Sequence, residues 1–227
     1  MFGAIQIGPF AINAGIFTFI LCSLLGYLAI KKRLENEKGT KDVISQMVMN
    51  LIFITFVLWK FSYVIFHPLE TIRHPISIIY FSGGERGIWL AGIATIVYIT
   101  VQIARKRILI NVTMDTFATG LLIAWGVGHA IWLAVERYEL FYHLLQIVVS
   151  VILYVWVIRK ISVGNIKEWL PVLMWFCIGQ ILALFFTKSH LAFFLGFSKI
   201  QFVFLFLSSI IMVLDYSWKK SDNFKET

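Results

Sequence analysis

Long apolar runs alternate with short polar stretches along this chain of 227 residues. A helix needs about twenty apolar residues to cross the hydrocarbon core of a bilayer. By that length the pattern predicts seven spans, at approximately 10–30, 44–66, 87–104, 114–135, 139–158, 168–187 and 197–217. The expected fold class is therefore all-α, a polytopic membrane protein forming a single integral domain over residues 1–227. One polar stretch interrupts the rhythm, from His67 to Leu90. Pro68, Pro75, Gly83, Gly84 and Gly87 argue against a regular helix there, yet Ile76 to Phe81 is apolar enough to dip back into the bilayer. Irregular backbone at membrane depth survives only where protein or a wet cavity satisfies its polar groups. The segment is thus expected to be re-entrant-like and to close a polar cavity in the outer leaflet.

Composition sharpens this picture. With 59% hydrophobic and 14% charged residues, a water-soluble globule is excluded. The net charge of +8 is not a nucleic-acid signal, because the cations sit in short clusters between apolar runs. Fourteen of the twenty Lys and Arg residues fall on one side of the predicted spans, in the clusters around Lys31, Arg105, Arg159 and Lys219. The positive-inside rule then places the N-terminus outside and the C-terminus in the cytoplasm. The opening residues, MFGAIQIGPF, lack a basic leader, so the first run reads as a retained span. Cys22 and Cys177 both fall within apolar runs, without the spacing of a disulfide framework or a zinc site.

Polar residues inside apolar runs are the candidates for chemistry. Lys60 lies about 24 Å along the second span from its inner end, where it either snorkels to the outer interface or serves a cavity. Glycines ahead of a helix leave N–H groups that suit an anion, and Arg86 follows Gly83 and Gly84, so a lipid phosphate is the expected ligand there. A solvated Glu85–Arg86 ion pair is the plainer alternative. His129 in the fourth span and His143 in the fifth should reach similar depth on adjacent helices. They could be interfacial and bonded to neighbours, one could act as a general base, or both could ligate a haem or metal. Asp115 and Asp215 read as interfacial, while Gln146, Gln180 and Gln201 need hydrogen-bond partners across helices.

The order of several short motifs resembles the prolipoprotein diacylglyceryl transferase family over nearly the whole chain. Ile5 to Ile12, IQIGPFAI, is similar to the family's opening Gly-Pro stretch. Leu58 to Phe66, LWKFSYVIF, is similar to its Arg-x-x-Tyr-Val segment, with Lys60 as the cation and Tyr63 as the aromatic. FSGGERG at Phe81 to Gly87 keeps Gly83 and Gly84 of a His-Gly-Gly motif. Asp115 to Ala130 resembles a span ending in Gly-Arg-x-Gly-Asn, and Tyr142 to Tyr154 keeps His143 and Gln146 of the His-Pro-x-Gln segment. Leu195 to Leu214 resembles the closing Gly-Gln-Ser helix, with Gln201 retained. Departures fall at Ser82 for the motif histidine, Gly126 for the arginine, His129 for the asparagine, and Gln180 and Leu184 for an Arg…Glu pair.

The resemblance implies a bacterial membrane enzyme that takes phosphatidylglycerol and the signal peptide of a lipoprotein precursor, with no cofactor or metal. A lipobox cysteine would attack a glycerol carbon and glycerol phosphate would leave. That chemistry needs a base and cations for the leaving phosphate. Here the base would be His129 or His143, and Lys60, Arg86 and Arg137 would supply the charge. The alternative is a catalytically silent relative that binds lipid or a partner membrane protein.

Overall fold

A computed structural model of the chain describes residues 4–7, 10–76, 83–106, 109–135, 139–188 and 192–223. Among the described residues a short antiparallel hairpin, β1 (Ala4–Ile7) and β2 (Phe10–Asn13), precedes eight helices. These are α1 (Ala14–Arg33), α2 (Lys38–Phe66), α3 (Pro68–Arg73) and α4 (Gly84–Lys106), then α5 (Ile110–Val135), α6 (Leu140–Lys160), α7 (Ile166–Leu184) and α8 (Lys199–Asn223). All but α3 are long and apolar enough to cross a membrane, seven helices among the described residues. The chain is an all-α, multi-pass membrane protein. Its exposed side chains agree, since Phe53, Ile96 and Phe206 stand outward on three of these helices where a soluble helix would be polar.

Several boundaries depart from the apolar pattern. The first span was expected from residue 10, but residues 10–13 pair with 4–7, with Ala4 opposite Asn13 and Ile7 opposite Phe10. The β-branched Ile5, Ile7 and Ile12 favour that pairing over a helical start. Helix α2 begins at Lys38, ahead of the expected 44, because hydrogen bonding continues through the polar turn Lys38–Asp42 where hydrophobicity ends. Nor does the His67 to Gly87 stretch exclude helix. Pro68 takes the first helical position of α3, where its missing N–H costs nothing, and Gly84 opens α4 three residues before the expected start. The expected dip at Ile76 to Phe81 lies, beyond Ile76, outside the described residues. Helix α8 starts at Lys199 after a tight turn at Phe194–Phe197, in which Leu195 and Gly196 both have positive φ. Ser198 and Gln201 form a capping box there. The Ser198 Oγ accepts from the Gln201 N–H at 3.3 Å, and Gln201 Oε1 accepts from the Ser198 N–H at 2.7 Å.

Two units make up the chain. One comprises Met1–Leu34 with Asn111–Thr227, and the other Glu35–Ile110. The core of the first is Leu122, Leu153, Val157, Ile161, Trp169 and Val172, apolar positions of α5, α6 and α7 with the residue that follows α6. In the second, α2 and α4 pack through small polar residues, as membrane helices do. Thr55 and Thr95 share a hydroxyl hydrogen bond of 2.8 Å. Gly83 lies so close to Ser62 that a β-carbon there would collide with the serine Oγ and stand 2.8 Å from its Cβ. Gly83→Ala is therefore expected to cost about 1–2 kcal/mol by overpacking. Adding Ser62→Gly should return part of that loss, which thermal unfolding in detergent would measure.

Candidate functional site

Helices α5 and α6 carry the two histidines on facing sides, and Glu139, the residue before α6, adopts left-handed backbone. The His129 and His143 Nδ1 atoms are 2.9 Å apart, a hydrogen bond between the two imidazoles. His143 is buried and His129 partly so. Trp125 meets the His129 ring edge-on at 5.0 Å, and Tyr142 meets both imidazoles in the same fashion, at 5.3 and 5.1 Å. When both rings are neutral, an Nδ1-to-Nδ1 bond requires opposite tautomers. The donor ring then keeps a basic Nε2, and the acceptor ring carries its proton on Nε2. One added proton leaves the bond intact, whereas two would set N–H against N–H.

That spacing bears on the two Nδ1 atoms as joint ligands of one ion. Two nitrogens on opposite sides of one ion, each at about 2.0–2.1 Å, stand about 4 Å apart, and these stand 2.9 Å apart. Among the described residues no group of three His, Cys, Asp or Glu side chains is placed to hold a metal.

One turn along α6 from His143, a ladder of amides continues the polar seam. Gln146 Nε2 donates to Gln180 Oε1 at 2.8 Å, and Gln180 Nε2 donates back to Gln146 Oε1 at 2.7 Å. Trp125 Nε1 adds a third bond to Gln146 Oε1 at 2.9 Å. Helices α5, α6 and α7 are joined at this level by polar contacts, with Gln146 fully buried and Gln180 nearly so. Gly126 lets α6 approach, since a β-carbon there would meet the Ser150 Cβ at 2.9 Å. Gln201 does different work. Fully buried at the start of α8, it donates through Nε2 to the Ile181 carbonyl at 2.9 Å, besides capping its own helix. Leu184 ends α7.

The strongest polar node of this unit was not legible as such. In the sequence Arg33 is one of the cations clustered around Lys31 and Asp115 reads as interfacial, yet their side chains are 3% and 0% exposed and pair at 3.0 Å. The guanidinium grips the carboxylate through Nε at 3.2 Å and Nη2 at 3.0 Å, while Nη1 donates to the Val157 and Ile161 carbonyls at 3.0 and 2.9 Å. Asp115 also accepts from Trp169 Nε1 at 3.0 Å and the Gly164 N–H at 2.7 Å. Gly164 has φ +80°, and a β-carbon would press on Val112 at 2.9 Å, so only glycine presents that N–H without strain. The node ties α1, α5 and the α6–α7 turn together.

The second unit holds the residues expected to meet a lipid phosphate. Lys60 is partly buried on α2, and Tyr63 donates its hydroxyl to Glu70 Oε2 at 3.0 Å while stacking on His67 at 4.9 Å. The glycine N–H groups are not all open to an anion as expected. Gly83 donates its N–H to the Trp59 carbonyl at 3.1 Å, a consequence of the close α2–α4 approach. Gly84, at φ +57°, is the first residue of α4. Arg86 is exposed and holds its guanidinium 6.0 Å over the Phe66 ring. Glu85 and Arg86 belong to the first turn of α4, not to a loop. Arg137 and Ser82 lie outside the described residues.

No protein-family model matches this chain, and comparison with curated proteins gives no match either.

Proposed function

We propose that this chain is a bacterial plasma-membrane protein of the prolipoprotein diacylglyceryl transferase type, N-terminus outside and C-terminus in the cytoplasm. Its lipid is a phosphatidylglycerol-like phospholipid, and its second substrate is the lipobox cysteine of a lipoprotein precursor. The observation that supports this reading is the His129–His143 pair, two hydrogen-bonded imidazoles within a bundle of apolar helices. The basic Nε2 of the donor ring takes the thiol proton. The thiolate sulfur bonds to the terminal glycerol carbon of the diacylglyceryl group, and the bond from that carbon to the phosphate oxygen breaks. Its electron pair leaves with glycerol phosphate, which recovers the proton from the imidazolium.

Purified protein incubated with phosphatidylglycerol and a lipobox peptide should add a diacylglyceryl mass to the cysteine. His143→Ala should lower that rate by about 10²–10⁴-fold, the usual contribution of a positioned base. Rescue of a strain lacking its own transferase gives the same answer in cells.

A specific observation favours a second reading. Gln146 and Gln180, at or near motif positions, are each other's partners, and both amides are spent on holding helices together. A silent, lipid-binding relative would show no mass gain on the peptide, yet retain phosphatidylglycerol through purification. In that case Lys60→Ala and Arg86→Ala should weaken lipid retention.

A further inference from the structure

The segment that follows α2 carries a feature independent of any transfer chemistry. Helix α3 runs Pro68–Arg73, immediately after a membrane span that ends at Phe66. Its backbone turns at His67, whose φ and ψ are −133° and 57°. One side of α3 is tied back to that span. Glu70 accepts from Tyr63 Oη at 3.0 Å and lies 3.5 Å from His67 Nδ1, while Thr71 is buried and donates to the His67 carbonyl at 2.9 Å. The other side is apolar and bare: Leu69 is 70% exposed and Ile72 78%, and Ile76 just beyond the helix is 65% exposed.

Leu69 and Ile72 are three residues apart and share a face. Because Tyr63 belongs to the span and holds Glu70, α3 stays within about a turn or two of the span's end, on the order of 5–10 Å. Phe61 and Ile65 of α2, shortly before α3 in the chain, are likewise exposed apolar positions, and such positions face lipid in a membrane-spanning helix. Exposed Arg73 and His74 border that face, where phosphates lie. We infer that α3 is an interfacial foot, its Leu69–Ile72 face embedded in the headgroup and upper acyl layer of the bilayer, with lipid and not protein as its occupant.

Site-directed nitroxide labels in nanodiscs of phosphatidylcholine with phosphatidylglycerol test this. With Cys22→Ala and Cys177→Ala as background, labels at Leu69→Cys and Ile72→Cys should be relaxed by oxygen more than by a water-soluble nickel chelate. A label at Asp42→Cys, exposed near the start of α2, should show the reverse. Nickel access at Leu69 and Ile72 equal to that at Asp42 would put α3 in water and overturn the inference. Protection from both relaxants would place a protein surface over it and overturn it equally. Unlabelled wild-type protein gives a second reading that no variant can spoil: trypsin should cut after Arg73 several-fold more slowly in nanodiscs than in detergent, and equal rates would refute embedding. None of these outcomes depends on whether diacylglyceryl transfer occurs.

Discussion

Asp115→Ala is expected to destabilise the folded bundle by about 3–5 kcal/mol, the usual cost of removing one partner from a buried ion pair. The carboxylate receives four hydrogen bonds, two from Arg33 and one each from Trp169 and Gly164. Deleting it leaves a guanidinium buried without its counter-charge, with two further N–H groups unpaired. Solvent offers little relief, since neither side chain is more than 3% exposed. The pair by itself need not stabilise the protein, because desolvating two charges offsets much of their attraction. Arg33→Met with Asp115→Leu should therefore lose less than Asp115→Ala alone. Unfolding in detergent micelles, followed by circular dichroism, measures the cycle. If the double variant is as unstable as the sum of its singles, the two residues are not coupled and this account of the node is wrong.

This node shows what the amino-acid pattern could and could not deliver. Apolar runs reported the seven spans directly, since a run of that length has only one common use. Residues at the run borders were harder, because hydrophobicity marks the edge of the lipid and hydrogen bonding marks the end of the helix. Lys38 and Gly84 extend their helices past the apolar edge for that reason. Arg33 was invisible as a buried group, since its meaning lies in Asp115, 82 positions away. Within a charge cluster one buried arginine looks like its exposed neighbours Lys31 and Lys32. The signal available was the aspartate in the first part of an apolar run, which needs a cation or a proton if it is buried.

The histidines were easier, because a short connection between two spans places their facing ends at one depth. Spacing could say that His129 and His143 approach, and the Nδ1 contact then says how. Gly83 went the other way. A glycine before a helix suggests an anion site, and in the fold Gly83 admits the Ser62 side chain and bonds the Trp59 carbonyl. Close approach between helices and close approach to a ligand ask for the same residue, and the chain alone does not separate them.

Gln146→Leu carries the second large effect, about 2–3 kcal/mol, and it bears on how the histidine pair is held. Interhelical hydrogen bonds in membranes are each worth about 0.6–2 kcal/mol, and this substitution breaks three while stranding both ends of the Gln180 amide and the Trp125 N–H. Gln180→Leu breaks only the two amide bonds and leaves Trp125 its partner, so it should cost less. The double variant removes both amides together and should recover part of the loss, since an apolar pair leaves only Trp125 unpaired. Trp125 also packs edge-on against His129 at 5.0 Å, so freeing its N–H loosens the wall behind that imidazole. A nitrogen-detected NMR spectrum of the histidines should then show the opposite tautomers of wild type give way to averaging in Gln146→Leu but persist in Gln180→Leu. Equal averaging in both would mean that Trp125 does not transmit the order of the amide ladder to His129.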